Sequence, residues 1–332
     1  MKKLLSLVLL AFAGLVLSLT AADPAAFVPD KTPLLCFMDG ARASTLPWVK
    51  EALLKDADLA AKNRKSDALL ARFQLTDKDF CSGAFYFALT QDEEVFAYFK
   101  TNVPEGKVVP LAKAINDELL DKDEKFKVAE KVVNGRKFYV FSESGDDGDT
   151  LFALTYLAPD VAMLLDADEV EKPAVGSGKN PLLAKLDRTQ LVALVYDSAA
   201  AKEKEENPEI VGGDLALNLT GKAQKDLAVT ANLIFPNEQK ATEAAQQVQM
   251  ALPMFAGMIF GKDPDLAGDV MKGLKVTTPA KTKLNVRFAL SEKTIDGIVK
   301  YFEKPENLPD FGQKSVGGAD QSAGQGAKKS AK

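Results

Sequence analysis

A strand pattern that occurs twice constrains the fold of this 332-residue chain more than any other feature of its sequence. Residues 83–90 read GAFYFALT and residues 213–220 read GDLALNLT, so both segments place large apolar side chains at alternate positions. A period of two is typical of a β-strand that buries one of its faces. The repeated pattern predicts two regions of sheet that are built alike.

The segments around the two copies also follow a common order. Each copy is preceded by an apolar strand, at 34–39 or 191–197, and is followed by a hairpin, an amphipathic helix and a further pair of strands. Asn134-Gly135, a dipeptide favoured in two-residue hairpin turns, separates two of the predicted strands. We therefore predict an α+β fold of two related modules, each a largely antiparallel sheet with helices packed on one face.

Composition predicts where these modules begin and end. Gly, Pro and Ser concentrate at 173–181, whereas 312–332 has almost no large apolar side chain to offset the entropy of ordering. The predicted organisation is a first module at 23–172 with a helical insertion at about 44–75, a linker at 173–181, a second module at 182–311 and a disordered tail at 312–332.

The first residues are typical of an export signal. Met1-Lys2-Lys3 is basic, 4–19 is mostly apolar, and Thr20-Ala21-Ala22 offers small residues for cleavage. This pattern predicts a signal peptide at 1–22 and a mature protein in the periplasm or outside the cell, with retention of the signal as an anchor left open. No later segment has the length and apolarity of a transmembrane helix, so none is expected after signal removal.

The two cysteines are consistent with export. An even number of cysteines in an oxidising compartment favours a disulfide, and a Cys36–Cys81 bond would join the first two strands around the helical insertion. The alternative is two buried, reduced thiols that pack as small apolar side chains.

The chain contains no histidine, and this excludes most common catalytic machinery. Ser-His-Asp and Cys-His nucleophiles and HExxH zinc sites all require histidine. The stretch Gly176-Ser177-Gly178-Lys179 lacks the remaining residues of a phosphate-binding loop. A net charge of -5 argues against nucleic acid as a partner. We predict no cofactor, no metal site and no catalytic residue.

The helix predicted after Pro236 is apolar around most of its second half. Val248, Leu252, Phe255 and Ile259 form a stripe expected to face the core, while a second set of apolar side chains lies beside it. Burial against the other module would cover that second set, and so would a partner or lipid. The candidate interaction surface consists of Met250, Met254, Met258 and Phe260.

The chain resembles uncharacterised exported bacterial proteins that carry duplicated strand-helix-strand modules. The resemblance rests on the signal, on the early strand ending at Asp39, and on the order of hairpin, Phe235-Pro236-Asn237-Glu238, Ala-rich helix and final strand pair. It implies the fold and export, and it implies no activity and no catalytic residues.

These observations predict an exported, non-enzymatic envelope protein with a binding or assembly role and an unknown ligand. Its partner is expected to be another envelope protein or a second copy of itself. The alternative is a carboxylate-dependent extracytoplasmic hydrolase, which requires two or more acids of perturbed pKa converging in a deep pocket. Such carboxylates meet in space, so the sequence alone selects none of them.

Overall fold

The computed structural model of the protein describes residues 22–43, 57–120, 125–143, 150–201, 209–220, 225–302 and 304. The strands are β1 (Leu34–Asp39), β2 (Ala84–Leu89), β3 (Val95–Lys100), β4 (Phe126–Val133), β5 (Arg136–Glu143), β6 (Thr150–Ala158), β7 (Val161–Leu165), β8 (Val192–Asp197), β9 (Gly212–Thr220), β10 (Asp226–Ile234), β11 (Leu274–Ala280) and β12 (Lys283–Leu290). The α-helices are α1 (Gly40–Ala43), α2 (Ala57–Arg72), α3 (Val108–Glu118), α4 (Leu182–Lys185), α5 (Glu238–Ile259), α6 (Pro264–Lys272) and α7 (Glu292–Phe302).

All of these strands belong to one continuous antiparallel sheet, in the order β11-β12-β10-β9-β8-β1-β2-β3-β7-β6-β5-β4. The predicted fold of two modules with separate sheets is therefore wrong. The first strand of one half pairs directly with the first strand of the other, from Leu34 opposite Tyr196 to Met38 opposite Val192. Periodicity shows which face of a strand is apolar, but it does not show which strand lies beside it.

The strand order runs outward from the β1–β8 pair in a similar way on both sides. On one side it is β1-β2-β3, then β7-β6, then β5-β4, and on the other side it is β8-β9-β10-β12-β11. The β6–β7 hairpin is the difference between the two sides. The similarity of the two sequence copies thus corresponds to similar strand positions within a single sheet.

The turn predicted at Asn134-Gly135 is confirmed. Both residues have positive φ, 52° and 77°, and Val133 pairs with Arg136 across the turn. This conformation matches the right-handed twist of the two strands, and Asn and Gly adopt it at low cost. The dipeptide therefore fixes the register of the β4–β5 hairpin.

One face of the central strands is covered by short segments and not by long helices. A 3-10 turn at Pro24–Phe27, a second at Ala167–Glu171 and the short helix α4 pack against it. The side chains buried beneath them include Leu35, Phe37, Tyr86, Phe96, Tyr98, Met163 and Val195. The N-terminal part of the described chain is thus part of the main core.

The long helices pack on the opposite face. Side chains that are paired across antiparallel strands lie on the same side of the sheet. Following these pairs from strand to strand shows that Tyr139 and Val286 share one face. Tyr139 packs near α3 and Val286 packs under α5, so both helices lie on that face. Helix α2 packs on α3 through Leu69, Leu70 and Leu111. Of the predicted helical insertion at 44–75, residues 44–56 lie outside the described residues.

The segment predicted as a linker, 173–181, packs closely against the start of the described chain. The amide of Gly176 donates to the Phe27 carbonyl at 2.8 Å, and the buried Asn180 side chain donates to the Pro29 carbonyl at 2.5 Å. The Asp30 carboxylate accepts hydrogen bonds from the amide and hydroxyl of Ser177 at 3.0 and 2.8 Å. These two bonds are the main cause that lowers the pKa of Asp30.

Candidate interaction surface on helix α5

The first half of α5 is anchored on the sheet. The Asn237 side chain caps the helix by accepting from the Lys240 amide at 2.9 Å, which satisfies one of its free N–H groups. Ala241 and Ala245 are buried against Leu284 and the partly buried Val276 of the β11–β12 pair. Small side chains at these positions bring the helix close to the strands.

The second half of α5 is largely exposed. Ala256 is buried, and the exposed fractions of the large apolar side chains around it are far above those of a core residue. They are 65% for Met250, 75% for Met254, 52% for Phe255, 72% for Met258 and 36% for Ile259. We call these five side chains the methionine surface.

The structure separates the predicted surface residues. Met250, Met254 and Met258 are exposed, but Phe260 is buried with only 7% of its surface accessible. Its ring packs against Tyr301 of α7, with the ring centroids 5.3 Å apart. Phe260 is thus part of a small core between α6, α7 and the sheet, and its inclusion in the surface was wrong.

The predicted core-facing stripe is also wrong at its C-terminal end. Val248 contacts the cluster under the helix, whereas Phe255 and Ile259 are exposed. Helical spacing predicts such a stripe only where the sheet supports the whole length of the helix. Val248 is the last α5 side chain in the cluster that this helix forms with β11 and β12.

The methionine surface carries no formal charge. Residues 244–261 contain no Asp, Glu, Lys or Arg, and the flanking charged residues are Glu243 and Lys262. The polar groups in this stretch are the neutral side chains of Gln246, Gln247 and Gln249. Such a surface favours an apolar contact and offers no attraction to a charged ligand.

Gly257 lies beside the methionine side chains, within the helix and exposed. A Cβ atom built at this position meets nothing within 4 Å. Glycine in a helix interior is less favourable than alanine by about 1 kcal/mol. Packing within the described chain therefore gives no reason for glycine here.

The predicted disulfide between Cys36 and Cys81 is wrong, because both cysteines are free. Cys36 lies opposite Phe87 in the β1–β2 pair, whereas Cys81 packs with the partly buried Met38 and Ala41 at the far end of β1. Burial raises the pKa of the Cys36 thiol to about 11 and that of Cys81 to about 12. Neither thiol is an activated nucleophile at neutral pH.

The fold brings the carboxyl groups of Glu94 and Glu169 close together. Glu94 ends the β2–β3 turn, and Glu169 lies in the 3-10 turn that follows β7. Partial burial, then the hydrogen bond and negative charge of Glu169, raise the pKa of Glu94, and Lys172 opposes the shift. The sequence gives no signal for this pair, because its members belong to segments far apart in the chain.

No group of three or more Cys, Asp or Glu side chains is arranged to hold a metal ion among the described residues. The depressions in the described surface include one along α7 at Glu292 and Lys300 and one between α5 and β11 at Gln249 and Thr277. Neither depression is lined by the Glu94–Glu169 pair. Within the described part of the chain, no helix has both the length and the apolarity to cross a membrane.

Comparison with known proteins adds no relative. No protein-family model, no curated protein and no solved structure matches the chain. The function is therefore inferred from the chain's own residues, and the methionine surface is the feature that most needs an explanation.

Proposed function

We propose that the protein is exported and acts as a non-enzymatic envelope protein with a binding or assembly role, through the methionine surface. The observation that supports this proposal is the exposure of five large apolar side chains on one uncharged helix end. They present roughly 600 Å² of apolar surface, which is the upper end of what a monomer normally exposes in one patch. Export is supported by the basic, apolar and small-residue pattern of 1–22.

The side chains of this surface suit a protein contact. Methionine has an unbranched, polarisable side chain that adapts to different partner shapes, and Phe255 supplies a larger rigid group. Since the surface lacks charge, its contribution comes from apolar burial, and its partner needs a complementary apolar patch.

Association in the native envelope tests the proposal. We expect wild-type protein in the envelope fraction to start at Asp23 and to migrate as a complex larger than one chain. Met254→Asp places a charge in the centre of the surface and is expected to abolish the complex. Gln249→Asp introduces the same charge at an exposed position beside the depression between α5 and β11, and it is expected to leave the complex unchanged. A Met254→Asp protein that retains the complex at wild-type level contradicts the proposal.

The alternative function, a carboxylate-dependent extracytoplasmic hydrolase, is favoured by acids of raised pKa that have other carboxyls nearby, which are Glu94 beside Glu169 and Asp77 near Asp67 and Asp79. Glu94 has a raised pKa and a second carboxyl beside it, as a general acid requires. The two surface depressions described above are lined by other residues, so neither places at this pair the substrate cleft that a glycosidase holds between its carboxyls. Loss of hydrolysis of a glycan or peptide panel in Glu94→Gln, with wild-type activity present, would favour the hydrolase over the binding role.

A further inference from the structure

We propose that the methionine surface binds a second copy of this chain, so that two α5 helices pack across a twofold axis. This inference rests on the proposed binding role and names its partner. The charge, area and geometry of the surface each support a contact between identical surfaces.

The absence of charge makes the surface compatible with itself. In a twofold contact both copies contribute the same patch, and residues near the axis meet their own counterparts. A charged side chain there would face a like charge in a partly desolvated contact. Residues 244–261 contain no such side chain, so two copies of this helix segment can face each other without opposing like charges.

The exposed area sets an upper bound on the size of a dimer contact. Complete burial of roughly 600 Å² on each copy gives roughly 1,200 Å² in total, which is the lower end of the range for specific protein interfaces. Phe255 and Ile259 extend the patch around the helix beyond the three methionines. This area indicates a concentration-dependent dimer and not a permanent one.

The spacing of the side chains suits helix pairing. Met250, Met254 and Met258 recur every four residues and form one ridge along α5. Ridges of this kind interdigitate when two helices cross at about 50°. Gly257 leaves a gap beside that ridge, because among the described residues no atom outside its own stretch of helix lies within 4 Å of its missing Cβ. A methionine of the second copy fits such a gap, and this accounts for glycine at an exposed helical position.

A lipid surface is less suited to this helix. Helices that lie in a membrane interface usually carry Lys and Arg along their polar face, where these side chains contact anionic headgroups. Helix α5 carries one basic residue, Lys240, in its first turn, together with Glu238 and Glu243. The polar side chains near the methionine surface are neutral glutamines.

Sedimentation of the mature protein, residues 23–332, tests the inference. Wild type is expected to shift from monomer to dimer between low and high micromolar concentration. Met254→Asp is expected to weaken the dimer at least tenfold while its circular dichroism stays unchanged, and Gln249→Asp is expected to dimerise as wild type does. Gly257→Ala provides a second variant, because alanine favours the monomeric helix but fills the proposed gap. It is expected to weaken the dimer without lowering the melting temperature.

Several outcomes overturn the inference. The inference is wrong if the wild-type protein remains monomeric at all concentrations. If Met254→Asp nevertheless disrupts the native envelope complex, the partner is another protein and the proposed function stands. Flotation of monomeric wild type, but not Met254→Asp, with vesicles of phosphatidylglycerol and phosphatidylethanolamine assigns the surface to lipid. A dimer unaffected by both Met254→Asp and Gly257→Ala uses another surface.

Discussion

Cys36 lies opposite Phe87 within the β1–β2 pair, and this pairing places it away from Cys81, which precedes β2. A disulfide requires Cα atoms within about 7 Å, and Cys81 precedes Ala84, which pairs with Asp39 at the far end of β1. Both thiols are also at least partly buried. The structure thus predicts a reduced pair in a chain whose start is typical of an export signal.

Thiol labelling checks this prediction. In the native protein both cysteines are expected to react slowly, because burial raises the pKa of Cys36 to about 11 and that of Cys81 to about 12. Denaturation without reductant is expected to release two labelled equivalents per chain, as measured by a colorimetric thiol assay. Zero equivalents under those conditions would show that a disulfide forms.

The stability of α5 variants follows from their burial. Met254→Asp is expected to change the free energy of unfolding of the monomer by less than about 0.5 kcal/mol, because the side chain is exposed. Ala256→Asp, two positions along the same helix, is expected to destabilise by more than about 2 kcal/mol, since it buries an unpaired charge. Urea denaturation of dilute monomer measures both. If the two variants changed the free energy of unfolding equally, Met254 would not be on a solvent-exposed face of α5.

The contact between 173–181 and the chain start predicts a strong glycine effect. A Cβ at Gly176 falls 1.8 Å from the Val28 carbonyl oxygen, so Gly176→Ala is expected to cost more than about 2 kcal/mol and to expose this segment to proteases. Gly268 in α6 is the matched control, because its Cβ meets nothing within 4 Å. Gly268→Ala is expected to stabilise by up to about 1 kcal/mol. Thermal melts and limited proteolysis distinguish the two, and a neutral Gly176→Ala would show that the segment is only loosely held.

The Glu94–Glu169 pair predicts a pH effect of definite sign. The folded protein raises the pKa of Glu94, so the folded state holds this proton more tightly than the unfolded state does. Its contribution to stability is therefore most favourable at low pH and becomes unfavourable as pH rises from the unfolded value of 4.5 through the folded pKa. Glu94→Gln is expected to stabilise the protein at pH 7 and to lose that advantage below the unfolded pKa. Melting temperatures across this range measure the difference, with Glu93→Gln as a neighbouring control. If the melting temperatures of Glu94→Gln and wild type differed by the same amount at every pH, the Glu94–Glu169 pair would not be the cause of the difference.

Local features of the fold were predictable from local sequence. Alternation in 83–90 predicted β2, and Asn134-Gly135 predicted a turn, because each depends on neighbouring residues alone. The single sheet was not predictable, since the pairing of Leu34 with Tyr196 depends on residues remote in the chain. β1 and β8 are apolar on both faces, which is typical of a strand in the middle of a sheet. This pattern is the same whether the strands belong to two separate sheets or to one continuous sheet.

The candidate site was predictable only in part. The spacing of Met250, Met254 and Met258 identified an extra apolar ridge, and the structure places these side chains in solvent. Phe260 belongs to the same helical pattern but is covered by Tyr301, a contact made by a later helix. Helical periodicity describes which side chains share a face, and the neighbouring elements decide which face is covered.

The central position of β1 also determines when this protein completes its fold. β1 is among the first strands synthesised, yet its neighbour β8 ends at Asp197, so one side of β1 stays unpaired until that residue is available. An unpaired edge of this kind is a template for intermolecular strand pairing. Because the closing contact joins distant parts of the chain, folding is expected to be slow compared with that of helical proteins of similar size. During synthesis and any transport, the first half is therefore the part of the chain most in need of protection from aggregation.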